Sequence, residues 1–473
     1  MRGKLDSLLA HERVVAAREA VDADAWIVGG TVRDALLERP LVDLDLALAG
    51  DPAPAARAIG RAIGAPAFKL SEAFGAWRVV DRETGFTCDL SRLQGETIEA
   101  DLAKRDFSVN AIALPLRGGD PLDPHGGIDD IRGRTLRVLD GAYEADPLRA
   151  LRLARLATEL GFEPDARTER LTLEAASSVT KAAPERIFAE LRRIVIAERV
   201  LDGLALAERL GLTAAILPEL EALHGVEQSH FHHLDVLGHT IEVLREQLGI
   251  ERDPERVFRE LAPAVAGVLA EPLADELTRA QALRFGALLH DIGKPATRRV
   301  LPNGRVTFIG HDAVGDEIIA GICRRLRTSA ALREFLGALA RHHLRLGFLV
   351  HEQPLSRSTV YRYLHECAPV EIEVTVLSCA DRLATRGRGA ERAIDLHLEL
   401  ARELMAAALE WRANGPPKPA VRGDQLSKAL GIKPGPELGE LLAELAEARY
   451  TGEATTPEEA VCLARRLRDN RRP

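Results

Sequence analysis

The sequence predicts an α+β protein in which a small mixed-sheet head is followed by a long all-helical body. Strand-like and helix-like runs alternate from Trp26 to about Leu139, and from Asp146 the apolar spacing becomes helical and stays so. The 473 residues also exceed what one hydrophobic core normally serves, so three or four domains are expected.

Composition bounds the class. Hydrophobic residues make up 46% of the chain and charged residues 29%, ordinary values for a soluble globular protein. No apolar run approaches membrane-spanning length, and the first residues lack the apolar core of a signal peptide. Cys88, Cys323, Cys367, Cys379 and Cys462 show no paired or zinc-like spacing, which suits a reducing cytoplasm. The expected location is therefore cytoplasmic, with no membrane partner. A net charge of -9 argues against a uniformly basic nucleic-acid coat but allows a local basic groove.

Taken in order, residues 1 to about 20 read as a helical lead-in and Trp26 to Val28 as a strand. Gly29 and Gly30 follow, then a helix from Thr31 to Leu37 and a second strand carrying Asp43 and Asp45. The glycines let a ligand approach the backbone, and the free amides at the helix start make a phosphate seat. Asp43 and Asp45, two apart on a strand, leave the same face. Adjacent carboxylates repel unless cations lie between them, and Mg2+ is the hard ion that prefers oxygen ligands.

An Ala-rich helix from Ala53 to Ile63 comes next, then strands at Trp77–Val80 and Phe86–Leu90 joined by a hairpin turn. Asp89, in the second of these strands, is placed to bring a third carboxylate to Asp43 and Asp45. Metal-dependent phosphoryl transfer needs such a group to bind the ion that activates the attacking hydroxyl, or to take its proton. In Lys104-Arg105-Asp106-Phe107-Ser108-Val109-Asn110, Arg105 can face a triphosphate and Asn110 a ribose or base edge. The turn-rich stretch from Asp123 to Ile131 reads as scaffolding.

From Asp146 a helix opens with Pro147 in its first turn and arginines at a three-residue spacing, Arg149, Arg152 and Arg155. Arg186 and Glu190, at i and i+4 of the next helix, are expected to pair and brace the site. Further on, His239, His290, Asp291, His311, His342, His343 and Asp381 are spread over successive helices. So many imidazoles and carboxylates are better explained by convergence on a metal than by separate core positions. His224, His230, His232 and His233 read as surface or structural residues. After Arg386-Gly387-Arg388-Gly389 a long helix runs to Trp411, is broken at Asn414-Gly415, and gives way to a loop over Arg422 to Gly439 feeding a last helix.

The pairing of Gly29-Gly30-Thr31-Val32-Arg33-Asp34 with Asp43-Leu44-Asp45 resembles the signature of the bacterial tRNA nucleotidyltransferases and the poly(A) polymerases related to them. Lys104 to Ala111 is similar to that family's Arg-Arg-Asp-Phe-Thr-x-Asn-Ala motif, with Lys104 in place of the first Arg. Asp146 to Arg149 resembles its base-reading element, with Ala145 where Glu is common. The resemblance implies a nucleotidyltransferase head over 1–140 and a helical base-recognition neck over 141–225. It implies catalysis by Asp43, Asp45 and Asp89 with Mg2+. Nucleotide binding falls to Gly29, Gly30, Arg33, Asp34, Arg105, Asp106, Asn110, Asp146, Arg149, Arg152 and Arg155. The expected substrates are tRNA, CTP and ATP, with CCA added to the tRNA 3′ end.

The histidine set resembles the HD phosphohydrolase superfamily. That implies an HD-like domain over 226–400, whose His239, His290, Asp291, His311, His342, His343 and Asp381 hold a transition metal such as Mn2+ or Ni2+. His311 and His342 are the additions expected of a two-metal version, and Lys294 would hold a substrate phosphate. Residues 401–473 are expected to form a helical C-terminal region touching the tRNA. Two rivals stay open: a poly(A) polymerase or a relative adding only CC or only A, and an HD phosphohydrolase whose head merely binds RNA.

Overall fold

The computed structural model describes residues 2–71, 75–228, 234–386 and 390–470. His230, His232, His233 and the Gly387-Arg388-Gly389 break lie outside the described residues. The chain divides into two compact units, Met1–Ile216 and Leu217–Pro473.

In the first unit, helices α1 (Arg2–Ala10) and α2 (Glu12–Ala20) lead into strand β1 (Ala25–Val28). The chain turns at Gly29 into α3 (Gly30–Leu36), and β2 (Asp43–Leu48) returns antiparallel to β1. Helix α4 (Pro52–Ile63) starts at Asp51, whose carboxylate accepts the Ala53 N–H, and ends at Gly64 in the left-handed conformation. Strands β3 (Ala67–Ser71), β4 (Ala76–Val80), β5 (Thr87–Arg92) and β6 (Ala113–Pro115) complete a mixed sheet in the order β3-β4-β5-β2-β1-β6. β2 and β5 run parallel and the other neighbours antiparallel. β3 is an edge strand that sequence periodicity does not reveal, because its Phe68 and Leu70 are both largely exposed.

Strand alternation decides what the sheet presents. Leu44 and Leu46 of β2, like Cys88 and Leu90 of β5, are buried, so Asp43, Asp45 and Asp89 leave the opposite face. Helix α5 (Ile98–Leu102) and α6 (Gly127–Gly133) flank the site, and the Asp123 carboxylate caps α6 by accepting the Gly127 and Ile128 N–H groups. Apart from a short parallel ribbon of Thr135–Leu136 and Glu163–Pro164, the rest of the unit is helical and includes α7 (Ala142–Ala145), α8 (Leu148–Leu160), α9 (Ala166–Ala175), α10 (Pro184–Ile196) and α11 (Val200–Arg209). α8 packs on α10 and α11, and its buried Leu148, Leu151 and Leu153 supply the apolar contact.

The second unit is all-helical apart from two short two-stranded ribbons. Its centre is built from helices at Val236–Arg252, Arg279–Leu289, His311–Leu326, Ala330–His342 and Glu371–Ala384. Gly293, in the turn after Arg279–Leu289, lets the start of His311–Leu326 pack against it, since a Cβ there would lie 2.2 Å from the His311 carbonyl oxygen. Three last helices, Gly423–Leu430, Pro436–Thr451 and Pro457–Asn470, enclose a core that includes Leu426, Leu441, Leu445 and Leu463.

Two expectations are corrected here. Arg422 to Gly439 is not one loop: Gly423–Leu430 is helical, because its Leu426 is drawn into that C-terminal core. The boundary placed at 400/401 falls inside one continuous helix, Ala390–Asn414. Among the described residues, no helix is long and apolar enough to cross a membrane. The five cysteines are free, and only Cys462 is exposed.

Candidate functional site

The first candidate site is the polar face of β2 and β5 where it meets the turn into α3. Asp43 and Asp45 of β2 stand beside Thr87 and Asp89 of β5, each a Cα partner across the parallel pair. Thr31 locks helix to strand: its hydroxyl donates to the Asp43 carbonyl at 3.1 Å and accepts the Asp45 N–H at 2.9 Å. Gly29 has φ 69°, and a Cβ there would lie 3.0 Å from Arg105 Nη1 and 3.2 Å from Asp45 Oδ2. The left-handed backbone favours glycine, and a side chain there would crowd Arg105 and Asp45.

Each of the three carboxylates is compensated differently. Thr87 donates to Asp43 Oδ1 at 2.6 Å. Arg78 of β4 forks onto Asp89, with Nε and Nη2 each 2.7 Å from a carboxylate oxygen. Asp45 has no such partner on its strand neighbours. Burial, then the charges of Asp89 and Asp43, push it up to about 6 against the pull of Arg105 and Arg33. A divalent cation relieves that crowding, so the donor set fits a hard, oxygen-bound ion.

Beside this face is a cleft of about 860 Å3 lined by Gly30, Arg33, Asp34, Asp43, Asp45, Asp106, Asn110, Arg152, Arg155 and Arg193, among others. A continuous polar chain holds its wall. Buried Arg33 donates to Asn110 Oδ1 at 2.6 Å and forks onto Asp34 at 3.0 and 2.9 Å. Asn110 donates to Asp106 at 2.9 Å, and Arg152 Nη1 meets the other Asp106 oxygen at 3.1 Å. Burial alone would raise the Asp106 carboxyl, but Arg152 and Asn110 outweigh it and hold it below the usual carboxylate range. Glu190 then takes Arg152 at 3.1 Å and Arg155 at 2.5 Å. Arg105 donates to the buried Asp101 at 3.0 Å, which keeps its guanidinium against Gly29.

Asp146 and Arg149 are held but not to one another. Arg186 donates to Asp146 at 2.6 Å, and Arg149 donates to the carbonyls of Lys104, Arg105 and Ala142. The expected Arg186–Glu190 pair is a correction. Glu190 turns to Arg152 and the buried Arg155 of α8 and leaves Arg186 to Asp146.

The second candidate site is a histidine cluster in the second unit. His239, His290 and Asp381 form one group of ligand atoms and Asp291, His311 and His343 another, the atoms in each lying within 4.8 Å of one another. Three imidazoles are held alike: Nδ1 of His290, His311 and His343 sits 2.9, 2.7 and 2.7 Å from the carbonyl three residues before it. That contact fixes the proton on Nδ1 and turns the bare Nε2 inward, as in metal-binding histidines. Nε2 of His311 and Nε2 of His343 are 3.3 Å apart, a spacing that a shared proton or a metal ion satisfies. His290 Nε2 and both Asp291 oxygens are buried without a well-formed hydrogen bond. The residues fit one or two transition-metal ions, with Asp291 within 3.8 Å of all four cluster histidines.

His342 is corrected: it lies outside the cluster, half-buried, accepting from Arg345 Nε at 3.1 Å. Successive residues at a helix end point about 100° apart, so only one of the pair can face inward, and it is His343. Lys294 is buried over the Phe308 ring, with its ammonium 2.6 Å from Asp291 Oδ2 and 2.7 Å from Gln228 Oε1. His224, read as a surface residue, is exposed.

Sequence reasoning missed Thr31, Arg78, Asp101, Arg193 and Gln228. Only Asp101 carried a local signal, its i,i+4 spacing from Arg105.

Comparison with known proteins follows the same division. Residues 25–137 match the poly(A) polymerase head domain, residues 161–223 the probable RNA- and SrmB-binding site of polymerase A, and residues 264–386 the HD domain. The chain is 36% identical to an A-adding tRNA nucleotidyltransferase of Deinococcus radiodurans, over 93% of this chain and 95% of that one. It is 35% identical to a CC-adding tRNA nucleotidyltransferase of Thermus thermophilus, over 92% of each. A multifunctional CCA protein of Stenotrophomonas maltophilia is 33% identical over 86% of this chain and 96% of its own. Among solved structures, a CCA-adding enzyme with ATP superposes with TM-score 0.64 at 19% identity, covering 99% of this chain and 96% of that one. A Thermotoga maritima CCA-adding enzyme complexed with tRNA does so with TM-score 0.59 at 19% identity, over 98% and 95%. At that identity the structures speak to the fold.

Proposed function

The chain belongs to the tRNA nucleotidyltransferase family, and we propose that it is a cytoplasmic enzyme adding CCA to the 3′ end of tRNA from CTP and ATP. The observation that carries this reading is the gathering of Asp43, Asp45 and Asp89 on one sheet face beside Gly29. Asp43 and Asp45 would hold Mg2+, which would supply Lewis-acid neutralisation of the triphosphate's charge. Gly29 and Gly30 let the triphosphate approach the backbone, while Arg33 and Arg105 neutralise it. Asp89 accepts the proton of the terminal ribose hydroxyl or helps hold its ion. Asp34, Asp106, Asn110, Arg152 and Arg155 set the wall that orients the nucleoside. Asp146 and Arg149 read the base edge, each fixed beforehand by a second group, Arg186 for one and three backbone carbonyls for the other.

One observation keeps a second product in play. Relatives adding only A and only CC are as similar to the chain as multifunctional ones, over nearly its whole length. Sequencing the products made on a tRNA lacking its 3′ end, with CTP and ATP supplied separately and together, separates the readings. CCA addition predicts CC with CTP alone and CCA with both. A product stopped at CC, addition of A only to a tRNA already ending in CC, or a run of A would each assign the narrower or the polymerising activity. No incorporation would leave the head a binding module.

For the second unit we propose a phosphoester hydrolase dependent on a transition metal such as Mn2+ or Ni2+, trimming cyclic or 3′-phosphate ends before addition. His239, His290, Asp291, His311, His343 and Asp381 would hold the metal, and Lys294 the substrate phosphate. Replacing His290 should remove hydrolysis and leave nucleotide addition intact. Failure of the wild-type protein to hydrolyse either a 2′,3′-cyclic or a 3′-phosphate nucleotide, or any other phosphoester, with either metal would make the cluster structural.

A further inference from the structure

Arg78 stands on the reaction face as its fourth charged member. It is the Cα partner of Asp89 across the antiparallel pair β4–β5, as Asp45 is on the other side of β5. The three residues thus lie in one row across three strands, and a row across a sheet shares one face. Its guanidinium occupies both oxygens of Asp89, at 2.7 Å each, and is close enough to Asp43 and Asp45 that both reinforce its charge.

Among the described residues of the head, no other group neutralises Asp89 so directly. Of the other two carboxylates, Asp43 has a neutral hydroxyl partner and Asp45 only more distant arginines. A divalent ion that uses Asp89 needs at least one oxygen that Arg78 now holds. The pair is partly exposed, with 36% and 32% of the two side chains accessible, so it is exchangeable rather than locked.

Resting on the reading of Asp43, Asp45 and Asp89 as the metal-holding set, we propose that Arg78 is a positioning residue. It is the built-in counterion that holds Asp89 in place before a divalent ion arrives and that the ion must displace. Arg78 therefore sets the metal affinity of the site. Once released it remains on the same face, available to the anionic groups of the reaction.

The test is direct Mn2+ binding to the full chain, followed by loss of the free-ion electron paramagnetic resonance signal. Asp45→Asn defines the head component as the binding it removes; what persists belongs to the histidine cluster. Arg78→Gln should bind Mn2+ at the head roughly tenfold more tightly than wild type, because the competing cation is gone. Arg78→Lys, a point charge that cannot fork to two oxygens, should fall between. If Arg78→Gln binds with unchanged or weaker affinity while Asp45→Asn has lost the head component, this inference is overturned and the metal site stands. If Asp45→Asn removes no binding, both fall.

Discussion

Asp45 and Asp89 are Cα partners on parallel strands, two carboxylates placed side by side by sheet register alone. Parallel strands with this register put acidic groups at one level and on one face, so the charge concentration is built into the sheet rather than into a loop.

That crowding makes a stability prediction. Asp45 is raised from 3.8 to about 6, so its ionisation opposes folding. Its contribution to stability is fully present below the unfolded value and is lost as pH rises through about 6. With chelator present, Asp45→Asn should therefore be more stable than wild type at pH 8, by about 2 kcal/mol, with about half of that difference gone by pH 5 and most of it by pH 4. Denaturant unfolding at the two pH values checks it, and saturating Mg2+ should abolish the gain.

Gly29 is a second lever. Alanine there would take a left-handed backbone and place a methyl 3.0 Å from Arg105 and 3.2 Å from Asp45. Gly29→Ala should cost about 1 kcal/mol in stability but reduce nucleotide incorporation by about 100-fold. Calorimetric binding of CTP and ATP, beside circular dichroism, separates the two effects.

Glu190 holds two arginines of α8 while itself buried. Glu190→Ala leaves Arg152 only Asp106 and Arg155 only Glu159, and should destabilise the first unit by about 2 kcal/mol. Arg186→Ala should cost under about 1 kcal/mol, since its pair with Asp146 is half-exposed at the Arg186 end. Denaturation curves of the two variants test whether Glu190 serves α8 rather than its own helix.

The adjacent histidines give a direct contrast. His343→Ala should lower Mn2+ or Ni2+ affinity of the cluster by at least about 100-fold, whereas His342→Ala should leave metal content unchanged. Metal analysis of the two purified proteins after dialysis reads the difference.

What was legible in the chain was what is local. Gly29-Gly30, Asp43 and Asp45 are separated by one short helix, and strand alternation alone puts the two carboxylates on one face. Asp89 was reachable because its strand is also read from period-two spacing. Arg78 was not, since its role depends on how β4 registers against β5, which no local pattern encodes. The i,i+4 rule misdirected Glu190 because it sees one helix and not Arg152 and Arg155 on α8, which packs against it. His342 and His343 are adjacent, and only the packing of the helix end decides between them. Edge strand β3 escaped because its two large apolar residues do not face a core.

The central claim is that Asp43, Asp45 and Asp89 perform nucleotide addition. The most direct measurement is incorporation of labelled CTP and ATP into a tRNA lacking its 3′ end by Asp45→Ala, checked for wild-type circular dichroism. Incorporation should fall to background while the histidine cluster keeps its metal. A folded Asp45→Ala protein that still extends the tRNA would contradict the account.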